Sequence, residues 1–587
     1  MFDNSGMGCV NYGKTLTGWE ANANTPSNIT LSAVGVEYNT SGKTAHDNLI
    51  SNLGWTIKDD GFNDFCGGFK TIWKVSAGGD LMIYTNSSYS YKYDIAWKNL
   101  DNAGVGDGSS TNETGDYNIT GLSSGDRYLV SITGLFPHFN NGVRDNFAKY
   151  KNLLLEISQW GDIEWEDFHS SFEGSSNMDL TAKDTPILAK VIFCSDMFRE
   201  CKSLEGKSAN WKWHTVYIKN MSAMFNSAYM FNADITGWDT KNVEDMSGMF
   251  GNTLKFNQNI GVWNTGNVKD MNGMFYNCIF NKPINDWDVS NVRHLGRMFA
   301  YNKFFNQPLD KWNTINVMYC QGMFQHAGSF NQPLDKWNTK NVTTSKGMFD
   351  NATSFNQTLE DWNLASITDM EYMFDKSGMD CINYGRTIYG WANNGSAPSS
   401  ITLGADGIKY SNAASSAVDY LVKTKSWTFK DGGVASDCWE LWTGATSTDW
   451  ANANNWKTGI VPLPLADIQF DNSASNNLEL DQNRKVGSVD FNGSKKKIIL
   501  GSYDLSVDKY FKSSGSNSYV RCDNAGVLTI DVKNNSSKLF PVGITTYTPV
   551  TIENKDQSSY YSVNLVGEVY FNGQSGTIVN TPHVKTT

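Results

Sequence analysis

Long apolar runs are missing from this chain. No stretch approaches the ~20 apolar residues that a membrane-crossing helix needs, and residues 1–30 lack the basic and then apolar pattern of a secretory signal. Positive charge is also scarce. With 48 Lys and Arg against 60 Asp and Glu the formal charge is −12, so no broad basic surface is there to neutralise phosphates, and nucleic acid is excluded as a partner. The longest basic run, Lys495-Lys496-Lys497, is expected to be a solvated turn. Histidines at 46, 138, 169, 214, 294, 326 and 583 share no spacing, and no Cys-x-x-Cys or Cys/His set has zinc spacing. Ser41-Gly42-Lys43-Thr44 is only half a phosphate loop, because Glu37 stands where its first Gly belongs. No cofactor is expected. Asp59-Asp60, or Asp94 with Asp101, offers oxygen ligands of the kind Ca²⁺ takes, but neither fits a twelve-residue calcium loop.

Aromatics, at 13%, and hydrophobics, at 40%, are plentiful, which marks a folded protein. At 587 residues the chain is too long for one core and should split into several domains. Its most ordered stretch repeats one phrase. Phe305-Asn306-Gln307-Pro308-Leu309-Asp310-Lys311-Trp312-Asn313-Thr314, then Asn316-Val317 and Met323-Phe324, returns as Phe330 to Thr339, Asn341-Val342 and Met348-Phe349. Met-Phe pairs begin at 197, 224, 249, 274, 298, 323, 348 and 373, so the step is 24 to 27 residues. Phe168-x-x-Ser171-Phe172 is a degraded copy that precedes them. A fixed step of this size marks a solenoid. Val268, Met271, Met274 and Phe275 have the spacing of a helical or 3₁₀ turn with one buried face, and Phe-Asn-Gln-Pro-Leu should be extended, since Pro at 283, 308 and 333 forbids helix there. Each repeat is therefore expected to be one short strand plus one short helix.

Residues 1–66 align without a gap onto residues 373–438, with roughly half the positions identical. Met1-Phe2 thus stands in mid-repeat, and the expectation is a fragment of a longer polypeptide that begins in the end of an earlier solenoid. Cys9 and Cys66 answer Cys381 and Cys438, so the simplest reading is one disulfide in each copy, clamping a solenoid end in an oxidising, extracellular place. Four unrelated buried thiols are the alternative. Cys194, Cys201, Cys278 and Cys320 fall in slots that Met or Ala fills elsewhere and are expected in the core.

The expected fold is mixed and mainly β, a leucine-rich-repeat-like solenoid flanked by β-sandwich domains. Residues 1–66 would be the cap of a preceding solenoid and 67–140 a β-sandwich, where Tyr91, Tyr93, Ile95 and Trp97 alternate. Residues 141–374 would be the solenoid with its entry cap, in which Phe147 to Ile157 is predicted helical. Residues 375–438 would be the closing cap, and 439–510 and 511–587 two all-β domains, the second truncated.

The repeated phrase resembles the surface-protein repeat of Bacteroidetes, mycoplasmas and related bacteria, which is related to BspA-like leucine-rich repeats; the resemblance covers Ser171 to Phe374. Residues 375–438, with Asn-Tyr-Gly, Gly-Trp-Ala, Ile-Thr-Leu-Gly and a closing Cys, are similar to the segment that usually follows such arrays. Residues 69–138 resemble the polycystic-kidney-disease-type sandwich that often precedes them, with Trp97-Lys98-Asn99 in place of Trp-Gly-Asp-Gly. Trp442-Thr443-Gly444 with Trp450, Asn455-Trp456 and Val461-Pro462, and Phe540-Pro541-Val542-Gly543 with Tyr547-Thr548-Pro549-Val550, are similar to motifs of large exported Bacteroidetes proteins. The resemblance implies type IX secretion through a sorting domain after Thr587, a place on the outer cell surface, and an adhesin or gliding-associated role.

Repeats argue against catalysis, because an array multiplies whatever it contains while an active site is one unique constellation. The Trp ladder (213, 238, 263, 287, 312, 337, 362) and the Asn ladder (232, 257, 281, 306, 331, 356) are expected to be structural, the first as stacked core rings and the second as amides serving backbone groups of adjacent coils. The candidate binding face is the polar rows Gln307, Asp310 and Lys311, Gln332, Asp335 and Lys336, and Gln357, Glu360 and Asp361. The expected function is a non-enzymatic adhesin or recognition segment for a protein or glycan. A structural stalk and an accessory module of a polysaccharide-degrading enzyme are the alternatives.

Overall fold

The computed structural model describes residues 2–3, 7, 9–38, 40–62, 67–142, 148–492, 494, 496–500 and 502–512, with the short strand pieces 519–521, 528–531, 550–553, 561–562 and 584–585. Among these residues sheet outweighs helix. The chain divides into two compact units, Met1–Gln332 and Pro333–Thr587.

In the first unit, α1 (Cys9–Ala21) and α2 (Thr40–Leu53) accompany the parallel pair β1 (Thr30–Ala33) and β2 (Thr56–Asp59). Tyr12, Leu16, Leu31, Leu49 and Trp55 form their core. An antiparallel assembly follows, in which β3 (Phe69–Lys74), β5 (Lys92–Asn99), β6 (Gly108–Glu113) and β8 (Arg127–Leu135) share one sheet and β4 (Asp80–Ile83) pairs with β7 (Tyr117–Thr120). Along β3 the alternation works as expected, with Phe69, Thr71 and Trp73 buried. The helix predicted from Phe147 to Ile157 is a correction: α3 is a single turn, Ala148–Lys151, after which Leu154–Gln159 is β9; Phe147 lies outside the described residues. Leu154 and Ile157 are buried opposite Trp73 and Thr71 of β3, so edge pairing with that sheet wins over helix propensity. The two-residue β10 (Asp179–Leu180) pairs in parallel with β9 and leads into the repeats.

Successive repeats stack in parallel. Single bridges join Asn220 to Asp245, Asp245 to Asp270, Asp270 to His294 and His294 to Tyr319. Between Asn-Val and Met-Phe the described repeats make single turns closed by i→i−3 bonds, as Met274 to Met271, and no continuous helix; a bridge ladder runs through the same segment. The reason lies in two left-handed residues per turn. Gly248 and Asn252 have φ of 62° and 57°, and no helix propagates through such residues. The backbone therefore makes two kinds of bond by turns. Met246, Gly248, Phe250 and Asn252 donate their N–H groups to Asp270, Asn272, Met274 and Tyr276 of the next turn at 2.7–3.0 Å, while Met249 and Gly251 donate to Met246 and Gly248 within the turn at 3.2 and 2.9 Å. Phe-Asn-Gln-Pro-Leu carries no strand pairing, a second correction. Pro283 and Pro308 have no N–H to donate, and side chains make the connection there.

Aromatic ladders fill the interior. Phe198, Phe225, Phe250, Phe275, Phe299 and Phe324 stack at 5.6–5.8 Å with nearly parallel rings, and Phe256 lies 3.8 Å from Phe250 within its own turn. The Trp ladder is core, its rings 2–4 % exposed. The indole N–H groups of Trp238, Trp263, Trp287, Trp312 and Trp362 reach back to a carbonyl of the previous turn, as Trp238 to Trp211 at 2.8 Å and Trp312 to Ile284 at 3.0 Å, whereas Trp213 donates to Asn210 within its own turn. Asn257, Asn281 and Asn306 accept through Oδ1 from the backbone N–H of Asn281, Asn306 and Asn331 at 3.0–3.1 Å. Thr215, Thr240 and Thr265 donate their hydroxyls to carbonyls of the following turn. Cys194, Cys201, Cys278 and Cys320 are buried free thiols; burial pushes Cys278 and Cys320 up to about 12.

In the second unit the same interior contacts recur at Phe349, Phe355, Phe374 and Trp362. Helix α4 (Cys381–Asn393) closes the stack. Asp380 caps it, accepting from the N–H groups of Ile382 and Asn383, and Trp391 donates to Leu359 at 2.8 Å, as a further ladder Trp would. Gly390 is required there, since a Cβ would come within 2.4 Å of the Glu360 carbonyl oxygen. Parallel strands β11 (Thr402–Gly404) and β12 (Thr428–Lys430) flank α5 (Ser415–Lys425). The Cys381–Cys438 disulfide is present, with Cα atoms 6.0 Å apart. The duplication extends to atomic detail: Tyr12 donates to Asp59 as Tyr384 does to Asp431, and Trp55 to Pro26 as Trp427 does to Pro398. Cys66 lies outside the described residues, and so does the matching Cys9–Cys66 pairing.

Beyond Cys438, β13 (Trp439–Trp442), β14 (Asp467–Phe470), β16 (Arg484–Asp490) and β18 (Leu505–Lys512) form one parallel sheet, with β15 (Leu478–Glu479) and β17 (Lys497–Ile499) in a second. The strands expected in this all-β flank are present, and their direction of pairing sets it apart from the sandwich type expected of the flanking domains. A sandwich of hairpins pairs antiparallel, whereas here the named strands pair in parallel, apart from the single antiparallel bridge Trp442–Trp456, and β14, β16 and β18 are connected through β15 and β17 of the other sheet. Trp442, Trp450, Trp456, Phe470 and Phe491 make its core.

Candidate functional site

Once the repeated residues have turned inward, the polar rows remain outside, and their side chains fall into two groups. Gln307 donates to Asn281 Oδ1 at 2.9 Å, and Gln332 to Asn306 Oδ1 at 3.0 Å, so both amides clasp the preceding turn. Asp310 accepts from Asn285 at 2.9 Å, and Lys311 reaches Asp286 at 2.8 Å across an exposed pair. Such a pair contributes at most about 1 kcal/mol. In the second unit Glu360 meets Arg386 at 3.2 Å, while Asp335, Lys336 and Asp361 are exposed and Gln357 is half-buried.

Gln357 lines a cleft of about 430 Å³ together with Asn356, Asn383, Trp439, Lys457 and Thr458. Asn356 and Asn383 are fixed by each other and by Asp380. Lys457 is exposed, with its backbone held by Leu441. On the same helix as Asn383, Arg386 is only 8 % exposed, donating to the Val461 carbonyl at 2.8 Å and to Glu360. Glu440, 5 % exposed, is pushed up to about 7 by burial, against the opposing pull of Arg386 and a hydrogen bond from Thr458. Trp439, Lys457, Arg386 and Glu440 were not foreseen as neighbours of the rows. The only sequence signal was at Arg386, where the first copy of the cap has the shorter-reaching Lys14.

Amides, one indole, one ammonium and the Asp380 carboxylate around a cleft can hold a polar ligand by hydrogen bonds and ring contact. Among the described residues no group of three or more His, Cys, Asp or Glu is placed to hold a metal ion, and no helix is long and apolar enough to cross a membrane.

These observations define a mainly β repeat protein whose repeated Trp, Phe, Met and Thr letters are interior. Residues 192–299 and 277–383 match a family model described as Mycoplasma protein of unknown function, DUF285. The comparisons with curated proteins and with solved structures returned no match.

Proposed function

We propose that the repeats form a leucine-rich-repeat-like solenoid and that the chain is a non-enzymatic recognition segment of a secreted or cell-surface protein, adhesin-like, which holds a protein or glycan on its outward polar rows. The domain limits at 66, 140, 374, 438 and 510, extracellular placement, and export by the type IX route belong to the same reading. The match to a family described from Mycoplasma agrees with a surface protein in general terms.

The observation that carries the reading is the sorting of residues. Trp, Phe, Asn and Thr of the phrase are consumed in turn-to-turn contacts, whereas Asp335, Lys336 and Asp361, at positions that vary between copies, face solvent. Solenoids use such extended faces for binding. The test is a glycan and protein array probed with the intact chain. Saturable binding to a defined partner supports recognition, and silence across both arrays returns the chain to the stalk alternative.

A further inference from the structure

In the first unit, three successive turns place small residues side by side at the left-handed position between the two Met residues: Ala223, Gly248 and Gly273, with φ of 50°, 62° and 63°. They floor an open trough of about 410 Å³ whose other walls include Ser247, Asn272, Tyr276 and Arg297.

Arg297 breaks the pattern. It occupies the same left-handed position in its own turn, φ 54°, where Gly322 and Gly347 stand in later repeats. A long side chain there carries a backbone strain that Gly avoids. Its guanidinium is exposed and has no hydrogen-bond or ion-pair partner among the described residues. Arg199, at the opposite end, is neutralised by Asp196 at 3.3 Å and Glu173 at 3.6 Å. The Ser247 hydroxyl, the Asn272 amide and the Tyr276 hydroxyl likewise have no partner among the described residues, so three uncharged polar groups and one cation converge on one concavity. Beside it stands an aromatic row: Tyr301 lies 5.5 Å from Tyr276, and His326 stacks on Tyr301 at 4.5 Å.

We propose that this trough binds an acidic saccharide, taking the anionic group of one sugar on Arg297, its hydroxyls on Asn272, Ser247 and Tyr276, and the apolar face of a neighbouring sugar on the Tyr276 and Tyr301 rings. Arg forms strong charge-assisted bonds with carboxylate and sulfate alike. Amides and hydroxyls around a shallow floor suit the many hydroxyls of a sugar, and aromatic rings give sugar C–H faces a surface to lie on. A long polyanion would be repelled by a chain of net charge −12, so the fit is to a short segment seated at one local cation. The trough belongs to the first unit and uses none of the polar-row residues.

The experiment is titration calorimetry of the intact chain against four probes: an oligomer of hexuronic acid, a sulfated oligosaccharide and a neutral oligosaccharide of equal length, and an acidic peptide. One or both acidic sugars should bind and the neutral one should bind at least about tenfold more weakly, a difference of the order one charge-assisted contact supplies. The uronate and sulfate arms separate the two sources of anion. Arg297→Gly installs the residue that other turns carry, so it should keep the fold while weakening the acidic sugar by about tenfold or more. Asn272→Ala should weaken acidic and neutral sugars alike. No binding of either acidic sugar, equal binding of the neutral sugar, undiminished binding by Arg297→Gly, or tighter binding of the acidic peptide than of any sugar would each overturn the proposal. Loss of array binding through the polar rows would leave it standing, because the two surfaces share no residue.

Discussion

Replacing Trp238 with alanine probes the ladder where its physics is most exposed to test. The ring is 4 % exposed, stacks on Trp213 at 5.6 Å, lies parallel to Trp263 at 6.4 Å and donates to the Trp211 carbonyl at 2.8 Å. Burial of roughly 150–250 Å² at about 25 cal/mol per Å² gives about 4–6 kcal/mol. Core Trp→Ala changes cost about 3–5 kcal/mol, and an orphaned carbonyl adds about 1 kcal/mol. Trp238→Phe keeps most of the area and loses the N–H, so about 1–2 kcal/mol is expected. A stacked array distributes such a loss to adjacent turns before distant ones. Hydrogen exchange read by mass spectrometry should therefore show Trp238→Ala opening peptides on either side of the substitution while residues 69–135 keep their protection. The reasoning is refuted if Trp238→Ala costs less than about 1 kcal/mol, because the ring would then not be core.

Three further outcomes follow from the same structure. Asn281→Ala removes the acceptor for both the Asn306 N–H and the Gln307 amide and should cost about 1–2 kcal/mol in urea denaturation, with Asn281→Asp recovering most of it. Reducing Cys381–Cys438, which closes a 57-residue separation, should lower stability of the second unit by about 4 kcal/mol at most; an unchanged midpoint with and without reductant contradicts this. Glu440 holds its proton up to about 7 in the folded chain, above its ordinary 4.5. The folded state binds more protons than the unfolded one between these values, so the contribution is fully present below about 4.5 and is lost as pH rises through about 7, on the order of 3 kcal/mol in all. Glu440→Gln should flatten that part of the stability profile.

How much of this was legible in the chain depends on the kind of signal. The fixed letters disclosed the stacking step, the interior Trp and Phe residues and the Asn clasp, because identical residues at one interval must meet identical environments. The spacing of Val268, Met271 and Met274 suited a short helix and a single turn alike, because a chain of tight turns also brings every third residue inward. The correct signal was present: Gly248, Gly273, Gly322 and Gly347 with Asn252, Asn277 and Asn351 mark left-handed positions that no helix accepts. Beyond Cys438, alternation along strands such as Leu505 to Val507 does not distinguish a parallel partner from an antiparallel one, and only long-range register, Val486 opposite Val507, reveals the difference. The cleft was least legible. Gln357, Trp439 and Lys457 meet through packing between segments that share no repeat.

The central claim is that interior letters build the scaffold and outward letters recognise a partner. Its most direct measurement is array binding by the intact chain beside Asp335→Lys/Asp361→Lys, two exposed residues on the second unit's rows, with thermal unfolding of both proteins followed in parallel. The account predicts an unchanged melting profile, since exposed surface substitutions shift stability within about 0.5 kcal/mol, and loss of the partner that the unsubstituted chain binds. Undiminished binding by the doubly substituted chain to a partner that Arg297→Gly also leaves bound, and that is therefore not held in the first unit's trough, would contradict it.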